Sequence, residues 1–471
     1  MSGCALGQKG GNVEMSFWRK GLFGKLYQVR SHLTQTQFIA YGFLGIILTG
    51  TLILMLPVSS RTREVSSFIN CLLTATSASC VTGLAAYDTW THWSLFGQLV
   101  ILTMIQIGGL GFVTIGVFLS IVLRRKIGLK ERGLMQESVN TLQIGGVVRL
   151  AKKIIVGTMI FEGAGAVLLS IRFIPQYGIF QGIYFGIFHS ISAFCNAGFD
   201  LMGCQGPYSS LVNYYNDWLV NLVVMSLIVI GGIGFIVWDD ISRNRFHVHR
   251  YMLHTKLVLL TTFSLLFGCA WLFYKFESQN LLVGMDTSGK ILTSLFSSVT
   301  PRTAGFNTLD TGSLTDASKM LTVFLMFIGG SPGSTAGGVK TTTIVVLYLH
   351  LWSSIQRTYG VNAFGRRLEE DVLKRASAIF MINLTLALGA SLFILATQQF
   401  SVMDVLFEAF SAIGTAGMTT GITRDLNGPS RLAIIFLMYC GRVGSLSFAL
   451  SFTQHKKVAR VQQPVGQITI G

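Results

Sequence analysis

Charge is what this chain has least of. Of 471 residues, 12% are Asp, Glu, Lys or Arg, while 51% are hydrophobic. A soluble chain carries roughly a quarter charged residues, so a soluble globular protein is excluded. Long apolar segments point instead to a polytopic membrane protein. Cysteine is also sparse. The seven cysteines are scattered, with no CxxC pair and no His/Cys cluster at zinc spacing, so they read as packing residues. No His/Asp/Glu cluster, nucleophile motif or phosphate loop is present to support a membrane enzyme. The N-terminus lacks an early apolar core with a small-residue cleavage site, so no cleavable signal peptide is expected. Acidic residues number 20 against 36 basic ones, a net charge of +16. The basic residues fall in alternate loops: 5 in 1–36, 8 in 124–153, 4 in 239–256, 5 in 353–375 and 3 in 454–471. That pattern is a topology signal rather than a nucleic-acid footprint, and it places both termini and these loops in the cytoplasm.

What the chain does have is a glycine motif that returns four times. It reads Val81-Thr82-Gly83, Asn196-Ala197-Gly198, Thr303-Ala304-Gly305 and Thr415-Ala416-Gly417, with glycine spacings of 115, 107 and 112 residues. Each copy closes a short apolar run, near 66–79, 180–194, 289–300 and 403–414. Runs of 10–14 residues suit re-entrant segments rather than spans. Longer apolar segments lie near 37–57, 93–123, 154–174, 217–238, 257–276, 317–350, 376–397 and 431–453. The predicted architecture is therefore an all-α membrane protein with eight transmembrane spans. Four fused units of helix, pore helix, filter loop and helix would surround one pseudo-four-fold pore. The units cover 37–123, 154–238, 257–350 and 376–453. Between them lie cytoplasmic loops at 124–153, 239–256 and 351–375, with tails at 1–36 and 454–471. Residues 15–29 have the character of an interfacial basic helix or of an ordinary cytosolic tail.

A bare cation must regain oxygens lost from water, and backbone carbonyls supply them without adding full charge. Aligning successive carbonyls needs backbone angles that glycine reaches without steric cost. Ser77, Ser192 and Ser411 each stand six residues before their glycine, with Val299 in the third copy. A hydroxyl there satisfies backbone groups that water cannot reach.

A second register runs through the last helix of each unit and aligns Gly109, Gly232, Gly330 and Arg442. In the third unit it continues as Gly329, Gly330, Ser331, Pro332, Gly333, Ser334, Thr335, Ala336, Gly337 and Gly338. Five glycines and a proline make helix improbable there. The expectation is a broken helix whose loop hangs into the pore below the filter. In the first two units the Gly-Gly runs suit a close-packing helix face. Arg442 is mid-span, where a charge costs roughly 2.5–3.5 kcal/mol on insertion scales. It reads as a positive barrier in the conduction path, meeting the loop at one depth as a gate, or as a structural arginine on helix-end carbonyls. Glu162 reads as a structural partner or helix-packing polar group in its span, ahead of an ion site, Arg172 as a snorkelling end residue and Arg302 as a prop of its loop. His189 and Glu408 read as shaping the outer vestibule.

These strings, together with Gln106-Ile107-Gly108-Gly109-Leu110-Gly111-Phe112, Lys126-Ile127-Gly128-Leu129-Lys130-Glu131-Arg132 and Thr300-Pro301-Arg302-Thr303-Ala304-Gly305-Phe306-Asn307, carry a resemblance. From about residue 37 to 471 the chain resembles the membrane subunit of bacterial Ktr-type potassium uptake systems, within the Trk/Ktr/HKT superfamily. The resemblance implies a homodimer in the bacterial cell membrane, with one pore per protomer. It implies a cytosolic ring of nucleotide-binding, RCK-type regulatory subunits that takes ATP and ADP. It carries the filter glycines onto Gly83, Gly198, Gly305 and Gly417, the gating loop onto Gly329–Gly338 and the pore arginine onto Arg442. Glycine in the first filter goes with potassium and serine with sodium, so Gly83 points to potassium ion as the cargo, with sodium ion as a second candidate. No organic cofactor and no nucleic acid are expected. Two departures stand out: Cys80 where threonine is more usual, and a gating loop richer in Gly that contains Pro332. The rival readings are a sodium-selective or unselective cation pathway on the same fold, and an assembly subunit with a dead pore. The intact glycines argue against the second.

Overall fold

The computed structural model describes residues 34–122, 128, 132–136, 146–245, 247–358 and 360–445. The interfacial segment 15–29 and the C-terminal tail 454–471 lie outside the described residues. The described residues are mostly helical. A two-stranded hairpin pairs Asn362–Ala363 with Arg366–Arg367.

Four times in chain order a long helix, a short helix, a loop and a further helix recur. The first repeat holds α1 (Gln35–Leu54), α2 (Phe68–Cys80), α3 (Leu95–Leu110) and α4 (Phe112–Val122). The second holds α5 (Val147–Tyr177), α6 (Ile179–Phe194), α7 (Trp218–Gly232) and α8 (Phe235–Asn244). The third holds α9 (Leu253–Glu277), α10 (Thr287–Val299), α11 (Asp316–Phe327) and α12 (Thr341–Ile355). The fourth holds α13 (Glu370–Thr397), α14 (Val402–Gly414) and α15 (Gly428–Val443).

The long helices α1, α5, α9 and α13 are each long and apolar enough to cross a membrane. They turn large apolar side chains outward, among them Leu52, Met159, Phe263 and Leu392. The interior meanwhile takes in serines and threonines such as Thr74, Ser192, Thr293 and Ser411. Apolar outside and hydroxyl-rich inside is the arrangement a hydrocarbon surround favours.

The expectation that the last span is unbroken in the other three repeats needs correction. α3 gives way to α4 at Gly111 (φ +81°), α7 to α8 at Gly234 (φ +99°), and α15 ends at Gly444 (φ +94°). α7 and α8 are bent by 96°. The break foreseen for the third repeat is thus one of four, and left-handed glycines make the others, since a side chain resists that conformation. The segment 317–350 splits into α11 and α12.

Each α3-type helix starts at a polar cap: Ser94, Asp217, Thr315 and Asn427 accept from the backbone N–H three residues on. Each then packs on the short helix of the next repeat: α3 on α6, α7 on α10, α11 on α14, and α15 back on α2. The repeats therefore follow one another around a closed circle.

Candidate functional site: a ring of four glycines above a tied loop

The short helices α2, α6, α10 and α14 end where the repeated motif begins, and the four ends are built alike. Two residues before each glycine the backbone is left-handed, at Val81 (φ +57°), Asn196 (φ +60°), Thr303 (φ +71°) and Thr415 (φ +52°). The glycines are left-handed too, Gly83 at +102°, Gly198 at +68°, Gly305 at +82° and Gly417 at +79°. The residue between them is tied back to its helix. Thr82 N, Ala197 N and Ala416 N donate to Ser77 O, Ser192 O and Ser411 O at 2.8 Å, and Ala304 N to Thr300 O at 2.9 Å.

These central residues turn their carbonyls to the neighbouring repeat. A Cβ on Gly83 would stand 2.7 Å from Ala197 O, on Gly198 2.6 Å from Ala304 O, and on Gly305 2.9 Å from Ala416 O. On Gly417 it would overlap Thr82 O. Glycine is needed here twice, for its φ and for the space its missing side chain leaves. The four glycines close a ring in the order 83, 198, 305, 417. Between repeats, the hydroxyl of Thr303 lies 3.2 Å from the Asn196 amide. The hydroxyls of Thr82 and Thr415 are buried with no partner among the described residues, and buried polar groups rarely stay unpartnered without a reason.

The hydroxyl expected six residues before three of the four glycines serves in two repeats. Ser77 Oγ accepts from Gly83 N at 2.9 Å, and Ser192 Oγ donates to Phe199 O at 2.6 Å. In the third repeat the neighbour of Val299 takes over, Thr300 Oγ1 donating to Phe306 O at 2.5 Å. Ser411 Oγ finds no partner. A one-residue offset hid Thr300 from a fixed register.

Close helix approach is also repeated. A Cβ on Gly108, Gly231 or Gly441 would overlap the carbonyl oxygen of Ser79, Phe194 or Ile413, each four residues before its ring glycine. The register that counts for packing is therefore one residue earlier than Gly109 and Gly232. Gly109 backs onto the Cys195 thiol instead, and Gly232 onto the Asn196 amide.

The 329–338 loop is tied on every side. Gly329 N donates to Val339 O at 2.8 Å, Ser331 N to Gly232 O at 3.0 Å and Thr335 N to Gly231 O at 3.3 Å. Gly338 N donates to Gly441 O at 3.3 Å, and Gly333 O accepts from Phe235 N at 2.7 Å. Pro332 O lies against Gly234. Inside the loop Ser334 Oγ donates to Ser331 O at 2.7 Å and accepts from Ala336 N at 3.3 Å. Thr341 N closes onto Gly330 O at 3.1 Å. Gly337 sits against the Thr415 side chain and Gly338 against Gly414, so the loop abuts the ring at its fourth repeat.

Arg442 joins this loop to the first repeat. Its guanidinium donates to Thr335 O, to Gly108 O, and to Gly109 O at 3.1 Å. The guanidinium thus rests on carbonyls at the end of α3 and on the loop, as the helix-end carbonyl reading expects. Lys340 was not singled out from sequence. Its Nζ donates to Ala336 O at 2.7 Å and Gly337 O at 3.4 Å, placing a second cation on the loop. Its position just after the glycine run was the available signal.

The remaining candidates are accounted for locally. Glu162 accepts from Gln106 Nε2 at 3.1 Å and lies 3.7 Å from Cys195 Sγ, behind the second ring segment. Cys195 is thus a hydrogen-bonded thiol as well as a packing residue. Arg172 pairs with Asp217 at 2.5 Å rather than only snorkelling. Arg302 is buried and reaches Thr262 Oγ1 at 3.4 Å. His189 and Glu408 are fully buried, His189 between Phe185 O (2.8 Å) and Leu201 N (3.3 Å), and Glu408 beside Thr423. They act inside the protein, not in an open vestibule.

Four interlocked carbonyl-bearing loops in an apolar helical shell define a membrane transport protein. The chain matches the TrkH family of cation transport proteins over residues 16–461, and it belongs to that family. It is 40% identical over 452 residues to a potassium/sodium uptake protein, NtpJ, of Enterococcus hirae, covering 94% of this chain and 99% of that one. It is 39% identical to the Ktr system potassium uptake protein B of Bacillus subtilis, covering 93% and 97%. The crystal structure of the potassium transporter TrkH from Vibrio parahaemolyticus has the same fold, with a TM-score of 0.66 at 19% identity over 88% of this chain and 85% of that one. The chain is a Trk/Ktr-type ion transporter of the membrane and not an enzyme.

Proposed function

We propose that the chain conducts potassium through the four-glycine ring, with eight spans arranged as four pore units and both termini cytoplasmic. The observation that carries this is the cycle of central carbonyls, Thr82, Ala197, Ala304 and Ala416, each facing the glycine of the preceding repeat. Such oxygens replace the ion's hydration shell. The unpartnered Thr82 and Thr415 hydroxyls add donor atoms of the same hard type. Passage is stopped below the ring by the 329–338 loop, held by Arg442 and Lys340. A fixed positive charge opposes a cation, and three acceptors on two repeats keep the guanidinium in place.

Two relatives are named as proteins of a Ktr system, which favours a partner component. The chain would work as a homodimer under the control of a cytosolic nucleotide-binding, RCK-type ring, whose movement would release the loop. The test is rubidium flux into potassium-loaded vesicles holding the purified protein. Flux down the gradient is expected, and none with or without the partner would overturn the reading. A sodium-tolerant pathway is the second reading, favoured by the potassium/sodium uptake relative. Sodium competition against rubidium separates the two.

A further inference from the structure

A groove of about 630 Å³ lies between α5 and the bent pair α7–α8. The 96° bend at Gly234 creates it, because α8 turns across the end of α5 instead of continuing α7. Its wall is apolar: Ile160 and Phe161 from α5, Ile230 from α7 and Trp238 from α8. Gly157 leaves room for the Trp238 ring, 3.1 Å from where its Cβ would be. The groove opens beside Val156 and Ile160, which are exposed and lead to Val167 and Ile171 on the same helix. A chain leaving the groove therefore meets the apolar surround of the protein.

One end of the groove is strongly basic. Arg149, Lys152 and Lys153 all line it, within the first turns of α5. Lys153 pairs with Asp239 at 2.6 Å, and Asp239 is shared with Arg243 at 2.6 Å. The one acid on the rim is thus already neutralised. Arg149 and Lys152 are exposed, three residues apart on one helix face, and make no ion pair with the described residues. A site with two free cations above an apolar slot matches an amphiphile with an anionic head. A soluble phosphate compound would leave the slot unfilled, and a zwitterionic lipid would bring a positive charge of its own beside Arg149 and Lys152. Basic pockets between spanning helices on the cytoplasmic side recognise anionic headgroups.

We propose that this groove binds one anionic phospholipid of the inner leaflet, its phosphate on Arg149 and Lys152 and an acyl chain along Ile160, Phe161 and Trp238. The proposal needs the chain to span a bilayer but is independent of which ion it conducts. The full-length protein would be placed in phosphatidylcholine vesicles with an equal minor fraction of brominated phosphatidylglycerol or brominated phosphatidylcholine. The difference in tryptophan fluorescence between wild type and Trp238→Phe isolates Trp238. Quenching by the brominated anionic lipid is expected at roughly ten-fold lower lipid fraction. The preference should vanish in R149Q/K152Q and persist in R149K/K152R, which keeps the charge. Equal quenching by the two lipids, or a preference that survives R149Q/K152Q, would overturn the proposal. So would loss of the preference on adding inorganic phosphate, since the ligand would then be a free anion. Rubidium flux in the same vesicles reports the ion pathway separately.

Discussion

Gly417 faces the carbonyl oxygen of Thr82 so closely that any Cβ at position 417 would overlap it. The corresponding approach at Gly83, to Ala197 O, leaves 2.7 Å. Both glycines are left-handed, at +79° and +102°, so substitution strains each backbone. The two sites should still differ. Gly417→Ala should cut rubidium uptake by at least about ten-fold, the equivalent of roughly 1.4 kcal/mol on the barrier. Gly83→Ser should keep more uptake and move the preference toward sodium. Wild-type uptake by Gly417→Ala in correctly folded protein would refute the carbonyl ring as the conducting element.

Arg442 holds the loop by donating to one acceptor on the loop and two on α3. Hydrogen bonds from a charged donor contribute about 1.5–3 kcal/mol each. Arg442→Gln removes the charge and most of these donors. Basal rubidium flux without any partner should rise roughly ten-fold or more, measured as initial uptake rate. A variant that leaks no more than the wild type would remove Arg442 from the gate.

Lys340 caps the same loop from its other end, on the carbonyls of Ala336 and Gly337. Lys340→Met should also raise basal flux, with a smaller effect because it leaves the cross-repeat ties in place. Both residues bias one closed state, so their effects should be coupled. In Arg442→Gln/Lys340→Met the rise should fall short of the product of the single effects. A strictly multiplicative double variant would mean that the two cations act on separate barriers.

The repeat was legible because it is written twice, in motif and in hydropathy. The short helices fall within about two residues of the apolar runs, α2 at 68–80 against 66–79 and α14 at 402–414 against 403–414. What hydropathy missed are single-residue backbone events. Gly111, Gly234 and Gly444 break helices inside continuous apolar runs, because φ changes sign where mean hydropathy does not change. Thr300 replaces a serine one position away, since a hydroxyl reaches its acceptor from either register. Lys340 carried no signal in the sequence beyond its place after the glycine run, and only the folded loop brings its Nζ onto two carbonyls. The basic residues of α5 read as topology alone until the bend at Gly234 placed Trp238 beside them.

Asp200 stands two residues beyond Gly198, in the loop outside the ring, and accepts from Met202 N at 2.9 Å. Burial first, and the nearby Asp88 second, push its carboxyl up to about 7. It is therefore neutral in mildly acidic medium and charged in mildly alkaline medium. A negative charge near the mouth raises the local cation concentration. Rubidium uptake at low rubidium should thus rise between about pH 6 and pH 8. Asp200→Asn should flatten that rise without lowering uptake at the acid end. Stability has the opposite sign. A folded-state pKa above the ordinary carboxylate value favours folding while the group is protonated, and this is lost as pH climbs toward about 7. The melting temperature of the wild type should fall over that window relative to Asp200→Asn. An uptake profile unchanged by the substitution would show that Asp200 does not face the ion's path.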